Sequence, residues 1–325
     1  MAPADTSTEI AAPPRPEFLK LGELYAGEIG PWLESQEGRR QKARLLRWLI
    51  IGGGFAALAV FVYLVATRDW GDGWFVGAFF AAFAIIVAGN IPLMNLAADV
   101  KKEVMGKLAG HFGFTYDPKP IKSDIQLFND LGLLPYHSSA NFEDSLSGEI
   151  KGVPFQMTEV HLTKRTGSGK SKKTVTVFRG LLLSFPSGQP EPDRAALCSR
   201  DAESQLDDDD LRATGVDDRV FDGTFDVRAP DRETARRLFG PQPKQAVRKL
   251  AARPDVDDLR LGFVGGDLII AVKRKSDSFE VTHLGQRLAD PGRVQTMVEQ
   301  FAILFDVVDE FGLQPPAPKE KPADA

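Results

Sequence analysis

Two places in the sequence hold residue types that could do chemistry. The first is Lys164–Ser171, KRTGSGKS, whose close, Gly169-Lys170-Ser171, matches the end of a phosphate-cradling loop. Such a loop needs Gly, four residues, then Gly-Lys-Ser/Thr, so that bare backbone can approach the phosphates while the lysine neutralises them. Counting back from Gly169 puts Lys164 where the first glycine belongs. A helix must also follow, because its N-terminal amides hold the phosphate. Here KKTVTVF follows, β-branched and alternating, which is a strand pattern. The stretch therefore reads as the tip of a long basic hairpin, and no nucleotide is expected to bind. Arg165, Lys170, Lys172 and Lys173 are the cations it offers to phospholipid headgroups or to a partner.

The second place is Glu159, His161 and Arg179. Residues two apart on a strand share a face, so Glu159 and His161 point the same way. Arg179 lies on the strand expected to pair with theirs. A carboxylate that orients and charges a histidine makes a general base at a catalytic site. The same residues also make a structural ion pair, with Arg179 bridging Glu159 across the strands. Both readings stand on the sequence. His111, His137 and His283 show no metal-ligand spacing with His161 or Cys198, so neither metal nor cofactor is expected. Asp207–Asp210 lacks the spaced oxygens, central glycine and terminal glutamate of a calcium loop and reads as a solvated acidic loop.

The elements that carry these residues hang from an apolar segment. Leu45–Ala66 is apolar except for Arg47 at its edge, and Trp74–Ala97 is a second such run. Each exceeds the roughly 20 helical residues that cross a bilayer core. RDWGDGW between them is long enough only for a turn, with Tyr63, Trp70 and Trp74 suited to the headgroup level. Arg39, Arg40, Lys42, Arg44 and Arg47 precede the first run, and Lys101, Lys102 and Lys107 follow the second. The positive-inside rule then puts both termini in the cytoplasm. Gly53/Ala57, Gly77/Ala81 and Ala84/Ala88 have the small-xxx-small spacing that lets helices pack closely. Pro92 is expected to kink the second helix. The net charge of −5 offers no footprint for nucleic acid. The single cysteine excludes an intramolecular disulfide, which fits a reducing compartment.

Phe18, Leu21, Tyr25, Ile29 and Trp32 recur at helical spacing, with Glu17, Glu23, Glu28 and Glu34 on the other side. Acids suit docking on protein rather than on anionic lipid. A break or kink is expected at Gly30-Pro31. Beyond Asp99 the second span should run on as a helix to about Tyr116. IKSDIQLFNDLGLLP reads as a short helix capped by Ser123. GEIKGVPFQMTEVHLTKR and KKTVTVFRGLLLSF read as strands, the stretch after Phe185 as polar loop, and VFDGTFDVRAP as a strand. DRETARRLF and KQAVRKLAAR read as helices, LRLGFVGGDLIIAVKR as a hairpin turning at Gly265-Gly266, and Val294–Phe311 as a core-facing helix. The fold class is membrane-anchored α+β: a two-helix transmembrane hairpin plus a cytoplasmic domain with a mainly antiparallel sheet packed by helices. The segments are 1–16 disordered, 17–44 amphipathic arm, 45–97 hairpin (spans 45–66 and 74–97), 98–312 cytoplasmic domain and 313–325 disordered tail.

Two apolar spans, then KKEVMGKLAGHFGFTYDP, Thr158-Glu159-Val160-His161, Val177-Phe178-Arg179-Gly180-Leu181, FDVRAPDRETARRLF and LGFVGGDLIIAV follow one another. In that order they resemble a bacterial membrane family known as domain of unknown function 3137, over roughly Pro31 to Phe311. The resemblance implies a two-pass protein of the bacterial inner membrane, brings no activity, and points to LemA-type membrane proteins as a partner. Three readings of function follow. The first is a non-catalytic protein-interaction or scaffold module, binding another membrane protein or a second copy through the acidic arm and the basic tip. The second is a membrane-surface enzyme using Glu159, His161 and Arg179. The third is anionic-lipid binding through the tip at 164–173.

Overall fold

The computed structural model describes residues 15–67, 73–120, 125–168, 171–188, 194–200, 202, 210–274 and 287–316. The expectations made for residues 1–14, Trp70, Ser123, Lys170, Asp207 to Asp209, His283 and the tail beyond 316 lie outside them. The chain divides into two compact units, Met1–Lys107 with Glu280–Gln295, and Leu108–Phe279 with Thr296–Ala325.

In the first unit a short turn α1 (Leu21–Leu24) leads through one wide turn, Tyr25–Ile29, into α2 (Gly30–Thr67). The second long helix is α3 (Gly73–His111). Arm and first apolar run are thus one continuous helix from Gly30. The break expected at Gly30-Pro31 is instead a π-turn just before it, in which the Gly30 amide donates to the Tyr25 carbonyl. Pro31 has no amide to give, and its ring crowds the carbonyl four residues back, so the turn widens rather than breaks. At 38 residues, α2 is about 57 Å long, nearly twice a bilayer core. Two helical stretches, Pro16–Thr67 and Val76–His111, are long and apolar enough to cross a membrane.

These helices pair antiparallel along their length. Phe61 packs edge-on against Trp74 at 5.9 Å, Arg39 pairs with Asp99 at 2.9 Å, and Glu28 with Lys107 at 3.7 Å. The close approach is at Gly54 and Gly89, not at Gly53 or Gly77, which face open space. A Cβ on Gly54 would lie 2.7 Å from Ile85, and one on Gly89 2.5 Å from Ile51. The antiparallel pairing seats one isoleucine in each glycine notch, rather than small residue on small residue. Asn90 spends its amide on the Ile86 carbonyl of its own helix. In the arm, Phe18, Leu21, Tyr25, Ile29 and Leu33 are buried, as are Val100, Val104 and Met105 of α3. The Tyr25 hydroxyl donates to the Ala289 carbonyl at 3.0 Å, and the Leu288 amide to Glu37. The amphipathic arm therefore docks on its own chain.

The second unit is built on a nine-stranded sheet. Its elements are β1 (Thr115–Asp117), α4 (Ile125–Asp130), β2 (Ser139–Ile150), β3 (Val153–Thr166), β4 (Lys173–Pro186), β5 (Ala195–Ser199), β6 (Arg212–Ala213), α5 (Arg219–Thr224), β7 (Phe225–Ala229), α6 (Arg232–Leu238), α7 (Pro241–Ala251), β8 (Val256–Val264), β9 (Asp267–Arg274) and α8 (Pro291–Phe311). The order across the sheet is β1-β2-β3-β4-β9-β8-β5-β7-β6, and every pairing is antiparallel. The run read as GEIKGVPF… is two strands joined at Lys151-Gly152, both with positive φ, which is the hairpin turn that matches strand twist. Gly265-Gly266 turns β8 into β9 in the same way.

Two readings are corrected. Val220–Thr224 is helical, not strand, because the Asp218 side chain accepts from the Phe221 amide and caps α5; the strand begins at Phe225. That capping bond holds the Asp218 carboxyl below its usual range. The stretch after Phe185 holds a strand, β5, which lies between β8 and β7. Its Ala195–Cys198 are buried, so it is apolar on both faces and shows no alternation. One sheet face carries the core of Val160, Leu162, Phe178, Leu182, Ile269 and Ala271 under α4. On the other, Phe114 meets Phe155 at 4.8 Å and stacks on Phe301 of α8 at 6.2 Å. Gly180 of β4 has no room for a Cβ against the Val272 carbonyl, so it allows β9 its close approach.

Candidate functional site

β3 and β4 hold the three residues singled out above in one register. His161 stands opposite Arg179, and Glu159 opposite Leu181. Glu159 and His161 share a face but not an environment. Glu159 is 2% exposed, while His161 is half-buried and its Nε2 lies 2.8 Å from the Thr176 hydroxyl. Arg179 forms an ion pair with Glu143 of β2 at 3.6 Å. The register thus sets Arg179 opposite His161 and Glu159 one step further into the sheet.

Around Glu159 lies a group of buried and half-buried charges that sequence reading missed. Arg274, the last residue of β9, has a side chain 6% exposed and donates to Asp255 at 3.0 Å. Arg253 joins Asp255 at 3.1 Å to Asp306 of α8 at 2.6 Å. The Tyr116 hydroxyl donates to buried Asp144 at 2.5 Å. Burial pushes the Arg274 guanidinium's pKa down, while the Asp255 and Glu159 carboxylates hold it up. Burial also raises the Tyr116 phenol far above its ordinary value, and the charges of Asp144 and Glu159 add to that. The direct partner of the buried Arg274 cation is Asp255, and the Glu159 carboxylate adds a second negative charge within electrostatic range, so losing it should cost stability. The signal for Arg274 was legible: Leu268, Ile270 and Val272 alternate on one face, and Arg274 continues it. Among the described residues no group of three or more His, Cys, Asp or Glu is placed to hold a metal ion.

The outer half of the pair is different in kind. β4 pairs with β9 from Gly180 to Pro186, whereas β3 and β4 stay paired out to Thr166 and Lys173. A strand, not a helix, follows the glycine-rich loop, and Thr166 pairs with Lys173 across it. Arg165, Lys172 and Lys173 are exposed there, and the Lys164 ammonium sits 5.6 Å from the centre of the Tyr136 ring.

A cleft of about 610 Å³ on the second unit was also not foreseen. Arg200, Asp257, Asp258, Arg260 and Lys273 line it. Arg260 is 2% exposed, bonded to Asp258 at 2.7 Å and to the Leu133 carbonyl at 2.8 Å. Lys273 pairs with Asp257 at 3.3 Å, so these two cations are matched by acids of the same wall.

Residues 173–313 match the sequence model of a family described as "Protein of unknown function (DUF3137)". Over that stretch the chain is similar to DUF3137. The DUF3137 match takes in Val177–Leu181, FDVRAPDRETARRLF and LGFVGGDLIIAV, and runs from β4 through α8. Glu159, His161 and the two long helices lie outside it. No curated protein matches the chain in sequence. Among solved structures, the crystal structure of the mycobacterial trehalose monomycolate transport factor A, TtfA, aligns with a TM-score of 0.34 and 13% identity, over 67% of this chain and 98% of that one. A TM-score of that size does not establish a common fold.

Proposed function

We propose that the chain is a membrane-tethered, non-catalytic docking module at the cytoplasmic face of the bacterial inner membrane, with both termini in the cytoplasm. The tether rests on a belt of exposed apolar side chains, from Leu45 and Trp48 through Tyr63 on α2 and from Trp74 through Phe80, Phe83 and Met94 on α3. Outside that belt only Leu19, Tyr136, Val175 and Val220 are large, apolar and exposed among the described residues. Water does not tolerate such a belt, and lipid does. Its orientation rests on the basic residues that flank the belt on the side away from the turn.

The observation that carries the docking role is the state of the arm. Its apolar stripe of Phe18, Leu21, Tyr25, Ile29 and Leu33 is consumed inside the chain, while Glu23, Glu28 and Glu34 remain exposed. A rigid helix face lined with acids fits a basic surface on another membrane protein, for which a LemA-type protein is the candidate and a second copy of this chain the alternative. Deleting the arm is a poor test, because it would uncover the apolar side of α3. The test is full-length tagged protein carrying Glu23→Gln, Glu28→Gln and Glu34→Gln, gently solubilised from native membranes beside wild type. The reading expects a stoichiometric partner with wild type and its loss with the variant, at unchanged helix content. A partner retained by the variant, or a partnerless wild-type preparation, would count against it.

A further inference from the structure

We propose that the tip of the β3–β4 hairpin binds an anionic phospholipid surface. Among the described residues of the second unit most cations are matched. Lys151, Arg179, Arg228, Lys249, Arg253, Arg260, Lys273 and Arg274 each face a carboxylate. Lys164, Arg165, Lys172 and Lys173 form no ion pair among the described residues. The chain from Val160 to Phe178 contains no acid at all, in a protein whose net charge is −5. Four unmatched cations on one projecting hairpin make a local field of one sign.

Two further features select lipid over an acidic protein. Tyr136, 58% exposed, and Val175, 39% exposed, stand beside the cations. They are two of the few large apolar residues exposed outside the apolar belt, and an aromatic and an aliphatic beside basic side chains are what a headgroup layer accepts. Ser168, Ser171 and Thr174 are exposed on the same tip and can donate to phosphodiester oxygens. A chain tethered to a bilayer also meets headgroups at high effective concentration, so a weak contact suffices. The proposal rests on the tether proposed above but not on the docking partner.

The test uses the full-length chain with Ser168→Cys, labelled with an environment-sensitive dye. Cys198, the native thiol, is 3% exposed, so labelling falls on the tip. The protein is placed in nanodiscs of phosphatidylcholine alone or mixed with phosphatidylglycerol. The phosphatidylcholine discs are also titrated with phosphatidylglycerol vesicles, so that contact with the protein's own bilayer and with an opposing one are both read. The expected result is a blue shift with phosphatidylglycerol in at least one geometry, absent with phosphatidylcholine and reversed by salt. Each of Lys164→Gln, Lys172→Gln and Lys173→Gln should weaken the vesicle response about fivefold. Equal spectra in all lipids, or a response to polyglutamate but not to phosphatidylglycerol, would overturn it. Failure of the chain to incorporate into discs would overturn the tether itself, and is read separately by co-elution with lipid.

Discussion

The inner and outer halves of the β3–β4 pair are made from the same two strands, yet they treat charge in opposite ways. In the inner half Glu159 is buried and its charge acts on Arg274 and Tyr116, and Arg274 is linked to α8 through Asp255, Arg253 and Asp306. In the outer half Arg165, Lys172 and Lys173 are exposed, Lys164 is half-buried, and none of the four pairs with a described acid. The pairing partners set this difference. β9 covers β4 only from Gly180 inward, so side chains there meet a third strand and a helix rather than water. The lesson is that a Glu-x-His pattern on one strand face need not be one site, since the interior claims the glutamate and the surface the histidine.

That contrast can be broken most forcefully at Glu159. Glu159→Ala should destabilise the second unit by about 3 kcal/mol or more, because Arg274 stays buried with less compensation. Thermal unfolding of the full-length protein in nanodiscs would show it, and an unchanged melting temperature would erase the distinction between the halves. A smaller effect is expected at the edge of the network. Tyr116→Phe removes a hydrogen bond to a buried carboxylate and should cost about 2 kcal/mol. It should also change the alkaline limb of stability. The folded phenol keeps its proton above about pH 10, where the unfolded one releases it, so wild-type stability falls as pH rises through that range. The Phe variant should lose this slope in pH-dependent denaturant melts. The smallest effects belong to the outer half, where His161→Ala and Lys172→Gln should each shift stability by no more than about 0.5 kcal/mol. A larger loss at His161 would mean that the inner network extends to the imidazole.

Much of the fold was legible because its signals are local. The two apolar runs, the Gly265-Gly266 turn and the apolar stripe of Val294–Phe311 each appear where expected. The hairpin reading of KRTGSGKS also followed from the strand pattern of KKTVTVF after it. What escaped depends on neighbours distant in sequence. β5 is short, small-sided and buried on both faces, so nothing within AALCS marks a strand. α5 is set by one capping aspartate that outweighs the β-branched and aromatic residues after it. The surroundings of Glu159 come from β1, β9 and α8, far away along the chain. Alternation on β9 did hold the position of Arg274, but not which carboxylates would meet it.

The most direct measurement is a double-mutant cycle on Glu159→Gln and Arg274→Met, read as unfolding free energy of the full-length protein. The account predicts a coupling of about 1 kcal/mol or more, as for residues sharing one buried network. Additive effects, with the Glu159→Gln protein as stable as wild type, would contradict it and return Glu159 to a role at the surface beside His161.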